Sequence, residues 1–439
     1  MNEMNGVYKD QAVSFLPAQD VEGQADQKGN TWGRRVERFS ESTPGKLILG
    51  GLILIGVGTI GALIAVPLAL SNRASISPTN ASLNLSQTNK NISYPTTYLP
   101  TDLQTEPLVT SSLPTLQNHA DPGLPEKLES QIDSSSLESM LQELLTFGSR
   151  SSWCDARGNG FANASDWLKE KIEELDLPVE KSTFNYEDTY YGMSLRQCSR
   201  NKALSSSNLF TMFPGESQEC IIIGAHLDTV TNTVGANDNG SGVVSLFEMI
   251  RVLQKENFKP KHSIVFAFWG AEEAGKTLLG SADFLHADNA QITLANLWEQ
   301  AGKNATGKFT ISGYINLDMV AGNASGNEGI VISDPDAAST FWEYLPYSGF
   351  KRIAEGTRRI SQLFSEYFTR KDIPFTKTKM RRVGDHASFQ DKSIPSVMLY
   401  TGYDNCYHKN CDNGSNVDFQ KLENCTKSAL NVAVRLASK

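Results

Sequence analysis

A few short stretches carry the side chains that can do chemistry. "IIIGAHLD" ends in His226 and Asp228, "GANDNGSG" holds Asp238, and "IVFAFWGAEE" ends in Glu272 and Glu273. "YINLDM" reaches Asp318, and "CYHKNCD" sets Tyr407 and His408 between two cysteines. Two imidazoles with three carboxylates make the mixed nitrogen and oxygen donor set that zinc accepts, and one glutamate is left over for proton transfer. Each group also has a plain structural explanation. An Asp before a helix serves as an N-cap, adjacent glutamates form a solvated face, and a histidine near a strand end is commonly hydrogen-bonded structure. What favours chemistry is that these groups fall together at one edge of the same kind of element.

That element is a short apolar run. "CIIIGA" (220–225), "SIVFAFW" (263–269), "YINL" (314–317) and "PSVMLY" (395–400) are continuous enough to predict strands buried on both faces, and 243–254 has a helical pattern. Leu137, Met140, Leu141, Leu144 and Leu145 recur at helical spacing, as do Trp167, Leu168, Ile172 and Leu175. Strands alternating with helices predict an α/β fold, a three-layer sandwich whose central mixed, mostly parallel sheet is covered by helices on both faces. Ligands of such sheets bind beyond the carboxyl ends of the strands, which is where the candidate groups fall. No internal repeat is present.

The 439 residues carry a formal net charge of −9, with no basic stripe or Arg-rich arm, which excludes a nucleic-acid partner that depends on phosphate neutralisation. Residues 1–46 are polar and aperiodic and are expected to form a disordered cytoplasmic tail. Residues 47–70, "LILGGLILIGVGTIGALIAVPLAL", contain no charge and are long enough for one transmembrane helix rather than a cleaved signal peptide. Arg34, Arg35, Arg38 and Lys46 precede that span and only Arg73 closely follows it. The bias predicts a single-pass type II membrane protein whose large C-terminal part is extracellular or luminal. Residues 71–125, rich in Ser, Thr, Asn and Pro, read as a solvated stalk, and 126–439 as the folded domain. All six cysteines lie beyond the span, as do the glycosylation sequons at Asn80, Asn84, Asn91, Asn163, Asn239, Asn304, Asn323, Asn413 and Asn424.

In their order, "GAHLDTV", "GANDNGSG", "FAFWGAEEAG", "YINLDM", "GDHASF" and "CYHKNCD" resemble the secreted co-catalytic di-zinc aminopeptidases, leucyl-aminopeptidase-like zinc exopeptidases related to the glutaminyl cyclases. The resemblance covers about residues 130–439. It implies that Asp238 bridges two zinc ions, with His226 and Asp318 completing one and Glu273 and His408 the other. It further implies Glu272 as general base and the Tyr407 phenol as a partner of the oxyanion, with peptides as substrates. Asp228, two residues beyond His226, is placed to orient that imidazole. A zinc knuckle would need more Cys/His partners and a redox pair would prefer C-x-x-C. Relatives share the "CYHxxCD" arrangement, and with an oxidising compartment it implies a Cys406–Cys411 disulfide around Tyr407 and His408. Of the pairings open to Cys154, Cys198, Cys220 and Cys425, Cys154 with Cys198 is preferred.

Two stretches depart from the family pattern. "AEEAGKTLLGS" inserts Lys276 and Thr277, where a bulge is expected, and "KTKMRR" precedes "GDHASF". Lys377, Lys379, Arg381 and Arg382 form either a solvated face or a surface that favours acidic side chains or a free carboxylate. Asp385 and His386 are expected to support the site rather than bind metal. The leading expectation is a membrane-anchored zinc aminopeptidase. A zinc carboxypeptidase, a single-zinc glutaminyl cyclase and a non-catalytic ectodomain receptor are the alternatives, and the sequence is silent on oligomeric state.

Overall fold

The computed structural model describes residues 123–152, 159–186, 204–274, 278–323, 329–337, 350–379 and 382–438. The expected tail, transmembrane helix and stalk up to residue 122 lie outside these, as do Cys154, Cys198, Lys276, Thr277 and Arg381. Among the described residues no helix is long and apolar enough to cross a membrane.

The described strands are β1 (Val179–Tyr186), β2 (Leu204–Phe213), β3 (Ser217–His226), β4 (His262–Trp269), β5 (Thr310–Leu317), β6 (Ile330–Ser333), β7 (Phe375–Thr378) and β8 (Ser396–Tyr400). They form one sheet in the order β1-β2-β4-β3-β5-β8-β6-β7. β4, β3, β5 and β8 are mutually parallel at its centre, while β1 and β2 and the β6–β8 pair run antiparallel. The helices are α1 (Leu124–Glu129), α2 (Ser134–Leu145), α3 (Gly160–Glu173), α4 (Gly242–Lys255), α5 (Leu279–Phe284), α6 (Asn289–Gln300), α7 (Phe350–Arg370), α8 (His386–Asp391) and α9 (Phe419–Ala437).

The period of two along a strand explains why the central runs are apolar throughout. Ile221, Ile223 and Ala225 of β3 enter one core with Ile264, Phe266 and Phe268 of β4, covered by α2, α3, α4, α7 and α9. Cys220 and Ile222 enter the opposite core with Val265, Ala267 and Trp269, covered by α5, α6 and α8. The expected α/β sandwich, mixed in strand direction with a parallel centre, is thus present. Cys220 and Cys425 are free thiols buried in these two different cores.

The edge strands escape a reading based on apolar runs for a definite reason. β2 buries Ser206, Ser207 and Asn208, so its polar residues hide its burial. Their needs are met in the fold: Asn208 Nδ2 donates to Gly280 O at 2.9 Å and its Oδ1 accepts from Gly270 N at 3.1 Å. β6 and β7 are four residues each, too short for a period to register. At the other end of the chain, Leu124 and Pro125, expected in the stalk, belong to α1, with proline in the first turn where its missing N–H costs nothing. Buried Glu129 ties that helix down by accepting from Asn431 Nδ2 at 2.7 Å and by pairing with Lys371.

The central strands end level with one another. His226 is in register with Trp269, and Leu317 with Leu399, so the loops that follow β3, β4, β5 and β8 leave from one edge. Under that edge Trp269 Nε1 donates to Tyr314 Oη at 2.8 Å, and Tyr314 Oη donates to Asn316 Oδ1 at 2.8 Å. The two rings cross directly over Gly224, where a Cβ would stand 2.4 Å from Trp269 Nε1 and 2.5 Å from Tyr314 Oη. Gly224→Ala is therefore expected to destabilise the domain by about 1–3 kcal/mol through overpacking. A denaturant midpoint equal to wild type would contradict this packing.

Candidate metal site

Asp238 lies between the two candidate histidines. Its Oδ1 is 3.2 Å from His226 Nε2 and its Oδ2 is 3.2 Å from His408 Nε2. His226 Nε2 is also 3.5 Å from Asp318 Oδ1, and His408 Nε2 is 3.1 Å from Glu273 Oε1. The five residues thus fall into two groups of one imidazole nitrogen and two carboxylate oxygens, with Asp238 common to both. Donors around a tetrahedral zinc with bonds of about 2.0–2.1 Å stand about 3.3 Å apart, so both groups have the spacing and chemistry of a zinc half-shell. His226, Asp238 and Glu273 by themselves bring one donor atom each within 4.8 Å of one another.

The loops hold these donors through their backbone. The Asp238–Asn239 peptide is cis, and at the start of α4 it is Asn239, not Asp238, whose Oδ1 accepts from Gly242 N at 3.0 Å. The neighbours of Asp238 fasten the turn to the β5 end. Asn237 Oδ1 accepts from Ala321 N at 3.0 Å, Asn239 Nδ2 donates to Leu317 O at 2.9 Å, and Ser241 Oγ accepts from Val320 N at 3.0 Å. Asp412 grips the turn from the C-terminal loop, accepting from Asn237 N at 2.8 Å and Asp238 N at 3.0 Å. Asp404 accepts from Asn237 Nδ2 at 3.0 Å and from Cys406 N at 2.7 Å. The Cys406–Cys411 disulfide is present, with a Cα–Cα distance of 5.2 Å, and it closes the loop in which His408 adopts φ +58°. Ala271, just before Glu272, and Met319, just after Asp318, also have positive φ, so three turns that present donors use backbone that non-glycine residues adopt at a cost.

Asp228 orients the His226 ring, as expected, and does so through its backbone. His226 Nδ1 sits 3.0 Å from the backbone carbonyl of Asp228 and 3.7 Å from its carboxylate, so the carbonyl orients the ring. The buried carboxylate instead accepts from Glu272 N at 3.0 Å and Glu273 N at 3.1 Å, fixing the turn that carries both glutamates.

Burial of so many acids in one place shows in their ionisation. Burial raises Glu272 well above the carboxylate range, Glu273 to about 7, and Asp228 and Asp412 to about 6. Burial works against ionised Asp238 as well, but hydrogen bonds from His226 and His408 win and hold it below its usual value. Burial likewise opposes charge on His408, yet its bonds to Asp238 and Glu273 raise it to about 10. Burial, reinforced by Asp238 and Glu273, pushes the Tyr407 phenol up, so it stays protonated and able to donate. That ring stacks on His408 at 3.7 Å and meets Tyr403 edge-on at 4.8 Å.

Asp385 and His386 are fully buried at the start of α8 and belong to neither donor group. The basic stretch is a largely solvated, ion-paired surface: Lys377 bonds Asp334 at 2.8 Å, and Arg382 forks onto Asp391 with two bonds of 2.6 Å. A small hollow of about 10 Å³, room for about one water molecule, is lined by Ser333, Thr378, Val383, His386, Met398, Tyr400 and Tyr403. Sequence reasoning gave no supporting role to Asp404, Asp412, Asn237, Asn239 or Arg150. Asn237, Asn239 and Asp412 lie within quoted motifs and Asp404 just before one; Arg150, in "GSRSS", had no such signal.

Fold and site together define an α/β protein with a cluster of imidazole and carboxylate donors at the carboxyl edge of its sheet. Residues 208–433 match Peptidase family M28, and the chain belongs to that family. It is 26% identical over 306 residues to leupeptin-inactivating enzyme 1 of Streptomyces exfoliatus, covering 64% of this chain and 57% of that protein. It is 31% identical over 229 residues to an aminopeptidase of Pseudomonas aeruginosa, covering 48% of this chain and 37% of that protein. The chain therefore spans only about a third to just over half of the length of these curated relatives. Among solved structures, the Legionella pneumophila LapA aminopeptidase superposes with TM-score 0.53 at 20% identity, covering 74% of this chain and 78% of that one. BSAP, a zinc aminopeptidase from Bacillus subtilis, gives 0.52 at 14% identity, covering 70% and 96%. A Bacteroides thetaiotaomicron glutaminyl cyclase gives 0.51 at 18% identity, covering 69% and 98%. At these identities the superpositions show a shared fold.

In the metal-stripped protein the raised acids keep protons that the unfolded chain releases near pH 4, so the folded state binds more protons between about pH 5 and 7. Stability without metal should fall as pH rises through that window. The stabilisation from raised His408, complete below about pH 6.5, starts to fade at the top of the same window. Because metal binding displaces those protons, added zinc should stabilise more at pH 7 than at pH 5. Melting temperatures with chelator that climb from pH 5 to 7 would contradict this assignment.

Proposed function

We propose that this chain is a zinc-dependent aminopeptidase that removes N-terminal residues from peptides. The observation that carries the reading is the Asp238 carboxylate, each of whose oxygens faces an imidazole from a different loop at 3.2 Å. Asp238, His226 and Asp318 would hold one zinc, and Asp238, Glu273 and His408 a second, giving two per chain. Zinc bound there supplies Lewis acidity, which polarises a scissile carbonyl and acidifies water. Glu272, held by its backbone amide on Asp228, takes the proton from the attacking water and passes it to the leaving amine. The Tyr407 phenol donates to the oxygen that gains negative charge.

The pairing of the basic stretch favours the amino end of a peptide. Lys377 and Arg382 are paired with Asp334 and Asp391. Buried Arg150 spends its guanidinium on backbone carbonyls. These cations are engaged elsewhere, whereas a carboxypeptidase would need one to receive the carboxylate of its substrate. Residues 47–70 would serve as a retained membrane anchor, leaving this domain outside or luminal.

Metal analysis of the purified protein should return two zinc ions per chain, and chelation should abolish cleavage of aminoacyl anilides. One zinc, together with cyclisation of N-terminal glutamine, would instead mark a cyclase. Glu272→Gln is expected to keep both ions and lose at least about a hundredfold in turnover, as follows from removing a general base. Turnover close to wild type in that variant would take the base role away from Glu272.

A further inference from the structure

We propose that Arg150 is the positioning residue of the shared carboxylate, setting the separation between the His226 and Asp238 donors; the proposal rests on the metal reading above. Arg150 is fully buried and lies far from the other site residues in sequence. Among the described residues its guanidinium makes no hydrogen bond to a carboxylate. Nε donates to Leu227 O at 2.8 Å, Nη1 to Val234 O at 2.6 Å and Nη2 to Gly235 O at 3.1 Å. Leu227 directly follows His226, and Gly235, at φ +57°, opens the turn that presents Asp238. One rigid planar group thus braces the exit from one donor against the approach to the next.

The brace is built into the fold at several points. The Arg150 backbone amide donates to Thr229 Oγ1 at 3.1 Å, within the same loop. Gly235 O accepts from Gly240 N at 3.0 Å as well as from the guanidinium. On the opposite side Asp412 holds the amides of Asn237 and Asp238, so the turn is gripped by a cation on its carbonyls and an anion on its amides. Burying a cation without a bonded counter-ion is costly, and a brace of the backbone alone could be made from neutral groups. The nearby acids Asp228, Asp238 and Asp412 offset that cost electrostatically. The fork also fits its task better than an ammonium, because its donors are fixed relative to one another.

Cobalt(II) titrated into the metal-stripped full chain and followed by visible absorption tests the proposal without reference to turnover. Arg150→Lys retains the charge but not the fork. It should keep the wild-type circular dichroism while binding cobalt about 10–100-fold more weakly, the usual effect of losing a group that orients a ligand. Asn431→Ala, which frees Glu129 far from the site, serves as a destabilised control and should bind cobalt as wild type does. Wild-type affinity in Arg150→Lys, or equal weakening in Asn431→Ala, would overturn the positioning role while leaving the metal reading intact. Should Arg150→Lys not fold, Thr229→Val removes only the hydroxyl that anchors the Arg150 amide; at least threefold weaker binding supports the role and unchanged binding rejects it. A wild-type chain that takes up no cobalt would reject both readings.

Discussion

A single buried carboxylate shared between two imidazoles organises this domain. Asp238 on its own would be an unfavourable group to bury, and so would each of its acidic neighbours. Set between His226 and His408, it is the one acid of the cluster held below its ordinary ionisation range. The remaining acids crowd around that arrangement and are pushed upward by burial, which makes the cluster a strong demand for positive charge. The pair of donor groups that meet at Asp238 has the spacing and the atoms to satisfy that demand with cations.

Such a cluster is stable only because backbone groups carry it. Glu272 and Glu273 are hung from Asp228 by their amides, Asp238 from Asp412, and Asp318 lies in a turn stitched to Asn237, Asn239 and Ser241. Several of these supports are themselves acids whose carboxylates are spent on N–H groups. Acidic residues therefore do two jobs at this edge: some face the site, and others hold the first kind in place. The sheet makes this possible by ending its four parallel strands together, so that loops distant in sequence share one small volume.

The central strands, α2, α3 and α4 were legible because their burial is uniform and leaves a simple pattern of apolar residues. β1, β2, β6 and β7 were not: β2 buries serines and an asparagine whose partners come from other elements, and β6 and β7 are too short to carry a period. That His226, Asp238, Glu273, Asp318 and His408 would meet at one edge was legible through their places after strands and within motifs. Asp228 was recognised as the residue that orients His226, but that its carbonyl does this while its carboxylate holds two amides depends on distances between groups that the sequence does not carry. Arg150 gave no sign at all, because its partners are carbonyls, which every residue possesses.

By itself the sequence determined which side chains are available, which runs must be buried on both faces, and that acids and histidines follow those runs. These are properties of residue type and local period, and they survive without coordinates. Only the tertiary structure decided that Asp238 presents one oxygen to each histidine, that the basic stretch near residue 380 pairs with Asp334 and Asp391, and that Asp228 and Asp412 serve backbone amides. Those outcomes depend on distances of a few ångströms between loops far apart in the chain, and such distances are set by how the sheet and its covering helices pack.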